Sequence, residues 1–418
     1  MPVISPLSPF SRSVLPNGLT VLIKEVTTTP IVAVYFWVRV GSGYEPPELN
    51  GISHFFEHMF FKGTEKRRVG EMDRIVKELG GYNNAFTGLE YTAYYVVVPR
   101  EGFSVAFDLL LDAMRHSVVD PEEIERERQV ILEEINRQED TPLSKLHTTF
   151  LEEIFRGIPY ERPILGTQES LGRIGRDEFL AFLHDYYTPN NVTIAIVGDL
   201  KKDRVLREIT EATLDWRPKG TQRHLDFAFL PGVSHERVVE RDLKQVYWVL
   251  GFPNLGRIGA IEDVYVLDVA STILGGGRSS RLRQRLVERE GIAISAGAWA
   301  WPLDRAGIFG IEAEFPEAHH DRVCEEVFEE VERMRQHPVD PVEVQKARTM
   351  LKAEYAYANE TDSDIAGTLG RYETLDILDE AIRYNERIDL VTPEQIQDAM
   401  TRLCNPETAT VCVLRPKG

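Results

Sequence analysis

The chain has 418 residues, with 43% hydrophobic and 28% charged side chains, and a formal net charge of −19. This composition is that of a folded protein with a large core, and it excludes a disordered, collagen-like or low-complexity chain. The length predicts two domains, and the acidic balance argues against nucleic acid and anionic membrane surfaces as partners.

The N-terminal segment MPVISPLSPFSRSVLP has prolines where a signal peptide needs a continuous apolar stretch. No part of the sequence reaches the roughly 20 apolar residues of a membrane span. Three cysteines without a C-x-x-C pair are too few for a disulfide framework. We therefore expect a soluble, cytoplasmic protein. A precursor whose leader had been removed would look the same.

The predicted elements of the first half mix strands and helices irregularly. In chain order they are strands at 19–26 and 30–41, a helix beginning near Gly51, a helix at 70–79, a strand at 92–99, and helices at about 103–116 and 121–138. Short connections between adjacent strands favour antiparallel pairing. The sequence therefore predicts an α+β fold, in which helices pack on one face of a mainly antiparallel sheet.

The second half of the sequence repeats the pattern of the first. VDPEEIERERQVILEE at 119–134 resembles VDPVEVQKARTMLKAE at 339–354, and TPNNVTIAIVGDL at 188–200 resembles NPETATVCVLRP at 405–416. In both helical segments an Asp is placed to cap the helix and a Pro takes its first position. The repeat predicts two homologous domains with similar folds.

The predicted domain limits follow from this repeat and from the composition between its copies. The segment between the copies is rich in charges and contains the breaker signals WRPKGTQRH and FLPGVS. We predict a first domain at 1–214, a linker at 215–232, and a second domain at 233–418.

A helix of the first domain carries the pattern H-x-x-E-H within GISHFFEHMFFKG at 51–63. His54 and His58 lie one helical turn apart, so both imidazoles face the same side and can bind one metal ion. Glu57 points into the same site, where a general base that activates water is needed. Random placement of the 10 histidines and 67 acids predicts only about 0.04 such occurrences. The alternative is a helix with two surface histidines.

A catalytic zinc needs a third protein ligand, which must come from another part of the chain. On the helix at 121–138, Glu127 and Glu134 fall on the apolar stripe. That stripe consists of Ile124, Ile131 and Ile135. Two carboxylates on a buried stripe require a cation nearby. The alternative is that they lie at the edge of the stripe, partly exposed, with Arg partners.

The whole chain resembles a half-length member of the pitrilysin (insulinase) family of zinc metallopeptidases, close to the bacterial branch that is similar to mitochondrial processing peptidase. The resemblance is carried by NGLTVLIKE, VGSGYEPPELNGISHFFEHMFFKGT, GGYNNAFTGLEYTAYYVVVP, ERERQVILEEI and LGGGRSSRLRQRL. It implies a Zn²⁺-dependent endopeptidase with His54, His58 and Glu134 as ligands and Glu57 as the catalytic base. It also implies that Glu127 lies beside the metal and orients the ligands.

The resemblance further implies how a peptide substrate binds. It places Asn84 and Ala85, in a predicted strand at 80–87, on a sheet edge that receives the peptide as an added β-strand. The residues alone favour an ordinary Gly-Asn turn that enters a strand.

The sequence departs from the family pattern in its second domain. Active relatives carry an Arg and a Tyr that stabilise the oxyanion, and the matching positions here are Val287 and Ile294. Loss of two such donors costs on the order of several kcal/mol of transition-state stabilisation. We therefore expect a partner, which the half-length chain also implies.

Two kinds of partner and two functions follow from this departure. The preferred arrangement is a heterodimer with a related chain that supplies the Arg and the Tyr. The alternative is a homodimer in which Arg278 or Arg281 takes their role. The competing function is a non-catalytic structural or assembly subunit of a peptidase-like complex.

Overall fold

The computed structural model describes residues 5–220, 225–254, 256–258 and 261–417. Its strands are β1 (Ser11–Val14), β2 (Thr20–Glu25), β3 (Ile31–Val38), β4 (Tyr82–Thr87), β5 (Thr92–Pro99), β6 (Val192–Gly198), β7 (His235–Arg241), β8 (Val246–Asn254), β9 (Ser295–Pro302), β10 (Gly307–Phe315) and β11 (Thr410–Pro416). These strands form two separate sheets, one in each of two structural units.

The helices lie between these strands. They are α1 (Ile52–Met59), α2 (Glu71–Glu78), α3 (Phe103–His116), α4 (Pro121–Asp140), α5 (Pro142–Ile154), α6 (Gln168–Arg173), α7 (Arg176–Tyr186), α8 (Lys202–Ala212), α9 (Ile261–Gly275), α10 (His320–Gln336), α11 (Pro341–Tyr357), α12 (Asp362–Thr374), α13 (Leu378–Ile382), α14 (Tyr384–Leu390) and α15 (Pro393–Leu403). A π-helix covers Arg283–Arg289. None of the helices in the described part of the chain combines the length and the hydrophobicity of a membrane span.

The first unit is built on a six-stranded sheet with the order β1-β2-β6-β3-β5-β4. Only β2 and β6 run parallel, and the other neighbours are antiparallel. The central strand β3 is buried on both faces, which explains its continuous apolar sequence. Phe36 faces the ring of Phe107 on α3, whereas Tyr35 and Trp37 point to the opposite face, where α12 packs.

The second unit is built on a five-stranded sheet with the order β7-β11-β8-β10-β9. The pair β7 and β11 is parallel, and the others are antiparallel. One face carries the core formed with α9, α10 and α15, to which Trp248 and Leu250 of β8 contribute. On the other face Gly251 lies against Phe150 of α5. The predicted class of two mainly antiparallel α+β domains is therefore confirmed. The helices cover both faces of each sheet and not one face as predicted, because α12 and α5 pack on the second face of the first and second sheet.

Each sheet receives one helix from the other half of the chain. The first unit comprises Met1–Asn136, Arg162–Leu225 and Ala356–Ile382, and the second comprises Arg137–Glu161, Asp226–Tyr355 and Arg383–Gly418. Helix α12, followed by the short α13, therefore belongs to the first unit and α5 to the second. The observed units therefore differ from the predicted domains, which were the contiguous ranges 1–214 and 233–418. A local sequence pattern does not show which sheet a helix covers. The predicted linker at 215–232 includes residues 221–224, which lie outside the described residues.

The internal repeat is visible in the contacts of both units. Asp120 accepts the backbone N–H of Glu122 at the start of α4, and Asp340 accepts that of Val342 at the start of α11. The matched arginines are also used alike. Arg128 donates to the carbonyl of Ile174 at 2.9 Å, and the equivalent Arg348 donates to a carbonyl just before α15.

Candidate metal centre

The short helix α1 is anchored at its N-terminal end by a buried carboxylate. Glu45 accepts the backbone N–H groups of Gly51 at 2.7 Å and of Ser53 at 2.8 Å, which are free at a helix start. Burial raises the pKa of Glu45, and these backbone hydrogen bonds act in the opposite direction. Gly51 has a φ of 95°, and a Cβ there would lie 2.8 Å from the Cα of Gly166. The loop before α1 can therefore adopt this conformation only with glycine at position 51.

Three predicted ligands from α1 and α4 come together in one place. The Nε2 atoms of His54 and His58 each lie 3.7 Å from Oε2 of Glu134, and the imidazole centroids are 4.8 Å apart. The donor atoms all lie within 4.8 Å of one another, and within the described residues no other group of three such side chains meets this criterion. Glu134 is 40% exposed, so one side of this cluster opens to solvent.

This geometry fits a tetrahedral metal ion. With zinc bonds of about 2.0–2.1 Å, neighbouring donors lie about 3.3 Å apart, close to the observed 3.7 Å. Burial, aided by the charge of His58, lowers the pKa of His54 to about 3, which keeps its imidazole neutral as a metal ligand requires. His54 Nδ1 is buried and has no hydrogen-bond partner among the described residues, whereas Nε2 is the nitrogen that faces Glu134.

Glu127, for which the family resemblance implies a role in orienting the ligands, lies behind His58. Its Oε2 is 3.0 Å from His58 Nδ1, and its Oε1 is 2.7 Å from the ammonium of Lys62. Because a carboxylate between two such groups can only accept, His58 Nδ1 is the protonated nitrogen and Nε2 is free for the metal. The contact with Lys62 is not among the sequence predictions, because Lys62 lies beyond the end of α1 and reaches Glu127 on α4.

Glu57 is held by a strand rather than by its own helix. Its Oε2 accepts the hydroxyl of Thr87 at 2.6 Å, and Thr87 ends the edge strand β4. Burial raises the pKa of Glu57, while the Thr87 hydrogen bond and His58 lower it and Glu134 raises it further. This bond is also absent from the sequence predictions, because only the register of β4 brings the two residues together.

Asn84 and Ala85 lie on β4, opposite Tyr95 and Tyr94 of β5. Strand β4 ends the sheet order, so its outer edge has no strand partner in the described part of the chain. Ala85 is buried, and its backbone N–H donates to Asn84 Oδ1 at 2.9 Å. The structure therefore shows the predicted edge strand, with Thr87 linking it to Glu57.

The positions of the missing Arg and Tyr lie in the second unit. Val287 sits on the π-helix and packs against the core, and Ile294, just before β9, is half exposed. Of the two alternative donors, Arg281 is bound to both carboxylate oxygens of Glu343 at 2.9 and 2.6 Å, whereas Arg278 is exposed.

Comparison with known proteins gives one family for this chain. Residues 20–168 match the family model "Insulinase (Peptidase family M16)", and residues 173–351 match "Peptidase M16 inactive domain". The chain is 30% identical over 414 residues to the uncharacterized zinc protease YmxG of Bacillus subtilis, covering 98% of this chain and 99% of that protein. It is 31% identical over 436 residues to an uncharacterized zinc protease of Mycobacterium tuberculosis, covering 100% and 97%.

Solved structures show the same fold. A protease from Helicobacter pylori has a TM-score of 0.90 at 23% identity and covers 98% of this chain and 100% of its own. A peptidase M16 inactive domain from Pseudomonas fluorescens has a TM-score of 0.88 at 18% identity, with 98% of both chains covered. The chain belongs to the insulinase family of peptidases, M16. The cofactor of this family is zinc, which agrees with the donor set found here.

Proposed function

We propose that the protein is a zinc-dependent endopeptidase of the H-x-x-E-H type. The observation that carries the proposal is the position of Glu134 Oε2, which lies 3.7 Å from the Nε2 atoms of both His54 and His58. Zinc at this point supplies a Lewis acid that polarises a peptide carbonyl and acidifies water. The names of the relatives as zinc proteases support the same activity.

Glu57 is proposed as the general base. It shares a helix with both histidines, and its carboxylate is oriented by the Thr87 hydroxyl at 2.6 Å. Its other oxygen, Oε1, is then available to take a proton from water and to return it to the leaving amine. The pKa raised by burial favours proton uptake, because a buried carboxylate is a stronger base than an exposed one.

The substrate is proposed to be a peptide or unfolded segment that pairs with the outer edge of β4. An extended peptide in this position gains backbone hydrogen bonds and runs past the base, since Thr87 of the same strand contacts Glu57. Folded proteins are poor substrates for this mode of binding, because their backbone groups are already paired.

A partner chain is proposed to complete the site. Val287 and Ile294 offer no hydrogen-bond donor where relatives carry Arg and Tyr, and Arg281 is occupied by Glu343. The preferred partner is a related half-length chain that carries both donors. A homodimer in which Arg278 acts is the alternative. Val287 and Ile294 are also the observation that favours a non-catalytic subunit. Such a subunit, however, would have no need of clustered metal ligands.

The test is cleavage of a quenched fluorescent peptide by the chain alone and in equimolar mixture with a half-length relative that carries Arg and Tyr at these two positions. We expect zinc-dependent cleavage that is much faster in the mixture, lost on chelation and restored by zinc. Cleavage that survives chelation, or no cleavage in any pairing despite one bound zinc per chain, would contradict the proposal.

A further inference from the structure

Lys62 forms the end of a chain of contacts that leads to the metal centre. Its Nζ lies 2.7 Å from Oε1 of Glu127, whose Oε2 lies 3.0 Å from Nδ1 of His58. We propose that Lys62 is a positioning residue, which holds Glu127 in the orientation that fixes the His58 imidazole. This inference rests on the proposed zinc site, because the orientation of the His58 ring matters for function only if its Nε2 atom binds the metal.

The backbone around Lys62 is fixed at the end of α1. The Lys62 N–H donates to the carbonyl of Met59 at 3.0 Å, and the next residue, Gly63, has a φ of 98°. The Gly63 carbonyl accepts the N–H of Val118, just before α4 begins. Lys62 therefore starts from a fixed point just after α1 and reaches across to α4, so its ammonium connects the end of one ligand-bearing helix to the other.

Glu127 depends on Lys62 for its charge compensation. The Glu127 side chain is only 9% exposed, and within the described residues Lys62 is the only Lys or Arg within 4 Å of its carboxylate. Burial of a carboxylate oxygen without a partner destabilises the folded state. The contacts with Lys62 and His58 therefore select one rotamer of Glu127. Without Lys62, only the His58 N–H would remain to hold that rotamer.

The two imidazoles differ in how much they need such support. His54 is 9% exposed and is held by packing, with no hydrogen bond at Nδ1 among the described residues. His58 is 21% exposed, and Glu127 is the only carboxylate that contacts its Nδ1 in the described part of the chain. Removal of Lys62 should therefore disturb His58 rather than His54.

The experiment compares Lys62→Met, Lys62→Arg and Glu127→Gln with the unmodified chain. Zinc affinity is measured by competition with a chromophoric chelator, and the tautomer of His58 is measured by nitrogen NMR on the metal-free chain. We expect Lys62→Met to weaken zinc binding by about 10-fold or more, with loss of the single His58 tautomer, and Lys62→Arg to restore both. Lys66→Met is the control, because Lys66 is 62% exposed and, among the described residues, Asp112 at 3.9 Å is the only carboxylate within 4 Å of its ammonium.

The double variant Lys62→Met, Glu127→Gln tests whether Lys62 acts through Glu127. If it does, the double variant binds zinc no more weakly than Glu127→Gln alone. Additive losses would overturn the proposal, as would Lys62→Met with unchanged affinity and an unchanged tautomer. An unmodified chain that binds no zinc would defeat the proposed function instead, and the metal-free tautomer measurement would still decide the role of Lys62.

Discussion

At the scale of single residues, the metal centre combines two ways of preparing a histidine. Burial keeps His54 neutral, as its lowered pKa shows, whereas a carboxylate sets the protonated nitrogen of His58. Both routes leave Nε2 free to face Glu134. The proposed base is oriented by a different element from the ligands, since Glu57 accepts a hydrogen bond from Thr87 on β4. Substitution of the base should therefore leave the ligand set intact.

Replacing Glu57 by Gln tests this separation. The amide keeps the shape of the side chain but cannot take up a proton at neutral pH. We expect one zinc per chain, as in the unmodified protein, and a loss of about 10²–10⁴-fold in peptide hydrolysis by the active pairing. Glu133→Gln is the control, because Glu133 is an exposed acid beside Glu134 on α4. A Glu57→Gln chain with full activity would refute its role as base.

A second residue-scale prediction concerns Asp268 on α9, whose Oδ2 accepts the hydroxyl of Tyr384 at 3.0 Å. Burial raises the pKa of Asp268 from its ordinary 3.8 to about 7, against the lowering effect of Tyr384 and with a further rise from Glu354. The Asp268 carboxyl group thus binds its proton more tightly in the folded chain than in the unfolded chain. The free energy of unfolding should therefore fall as the pH rises from about 4 to about 7.

Asp268→Asn should remove this part of the pH dependence. At about pH 8 we expect the free energy of unfolding of the variant to exceed that of the unmodified chain by on the order of a few kcal/mol, so that it unfolds at a higher temperature, with a smaller difference at about pH 5. Thermal unfolding across this range gives the measurement, and Glu262→Gln, an exposed site on the same helix, is the control. Parallel pH profiles for Asp268→Asn and the unmodified chain would show the interpretation to be wrong.

The site residues that the sequence predicted are those whose signal is local. His54, Glu57 and His58 follow from spacing on one helix. The apolar stripe of another helix offers both Glu127 and Glu134, and the family resemblance implies Glu134 as the ligand. Thr87 and Lys62 could not be assigned in this way. Their partners lie on other elements, and the contacts depend on strand register and on how α1 packs against α4.

At the scale of elements, the close contact between α12 and β3 depends on a glycine. A Cβ at Gly370 would lie 2.2 Å from Nε1 of the buried Trp37, whereas a Cβ at Gly367 would meet only Tyr35 at 3.9 Å. Both glycines lie in the same helix on the side that faces the sheet. The difference in space predicts opposite effects of the same substitution.

Gly370→Ala should destabilise the chain by about 2–4 kcal/mol, because the helix or the indole must move in a packed core. Gly367→Ala should be neutral or stabilising by up to about 1 kcal/mol, since alanine is the better helix former. Chemical unfolding of both variants provides the comparison. Equal effects at the two positions would mean that the helix does not approach β3 as closely as described.

The secondary structure was largely predictable from the sequence, but the pairing of helices with sheets was not. The predicted strands at 19–26, 30–41 and 92–99 correspond to β2, β3 and β5, and the predicted helices at 103–116 and 121–138 correspond to α3 and α4. Periodicity identifies such elements because burial of one face leaves a local pattern. It carries no information on which of two similar sheets receives α5 or α12.

At the scale of the whole molecule, the helix exchange makes each half of the sequence incomplete. The sheet of the first unit needs α12 on the face of Tyr35 and Trp37, and the sheet of the second unit needs α5 beside Gly251. Either half alone would leave an apolar sheet face uncovered, which is a strong cause of aggregation. The two halves should therefore fold only in each other's presence.

Separate expression of residues 1–224 and 225–418 tests this dependence. We expect each fragment alone to aggregate or to bind a hydrophobic dye, and the two fragments produced together to purify as a one-to-one complex that binds zinc. Circular dichroism and sedimentation give the measurement. A monomeric N-terminal fragment with native side-chain packing would contradict the requirement for α12.

The spacing of the exchanged helices also bears on how the gene arose. Residues 142–154 and 362–374 are separated by the same interval as the two Val-Asp-Pro segments at 119 and 339, so α5 and α12 are the same part of the duplicated unit. A single copy that packed this helix as the present chain does would cover the sheet of a second copy with it. The exchange is therefore the arrangement expected if two copies of a domain-swapped pair were joined by duplication and fusion.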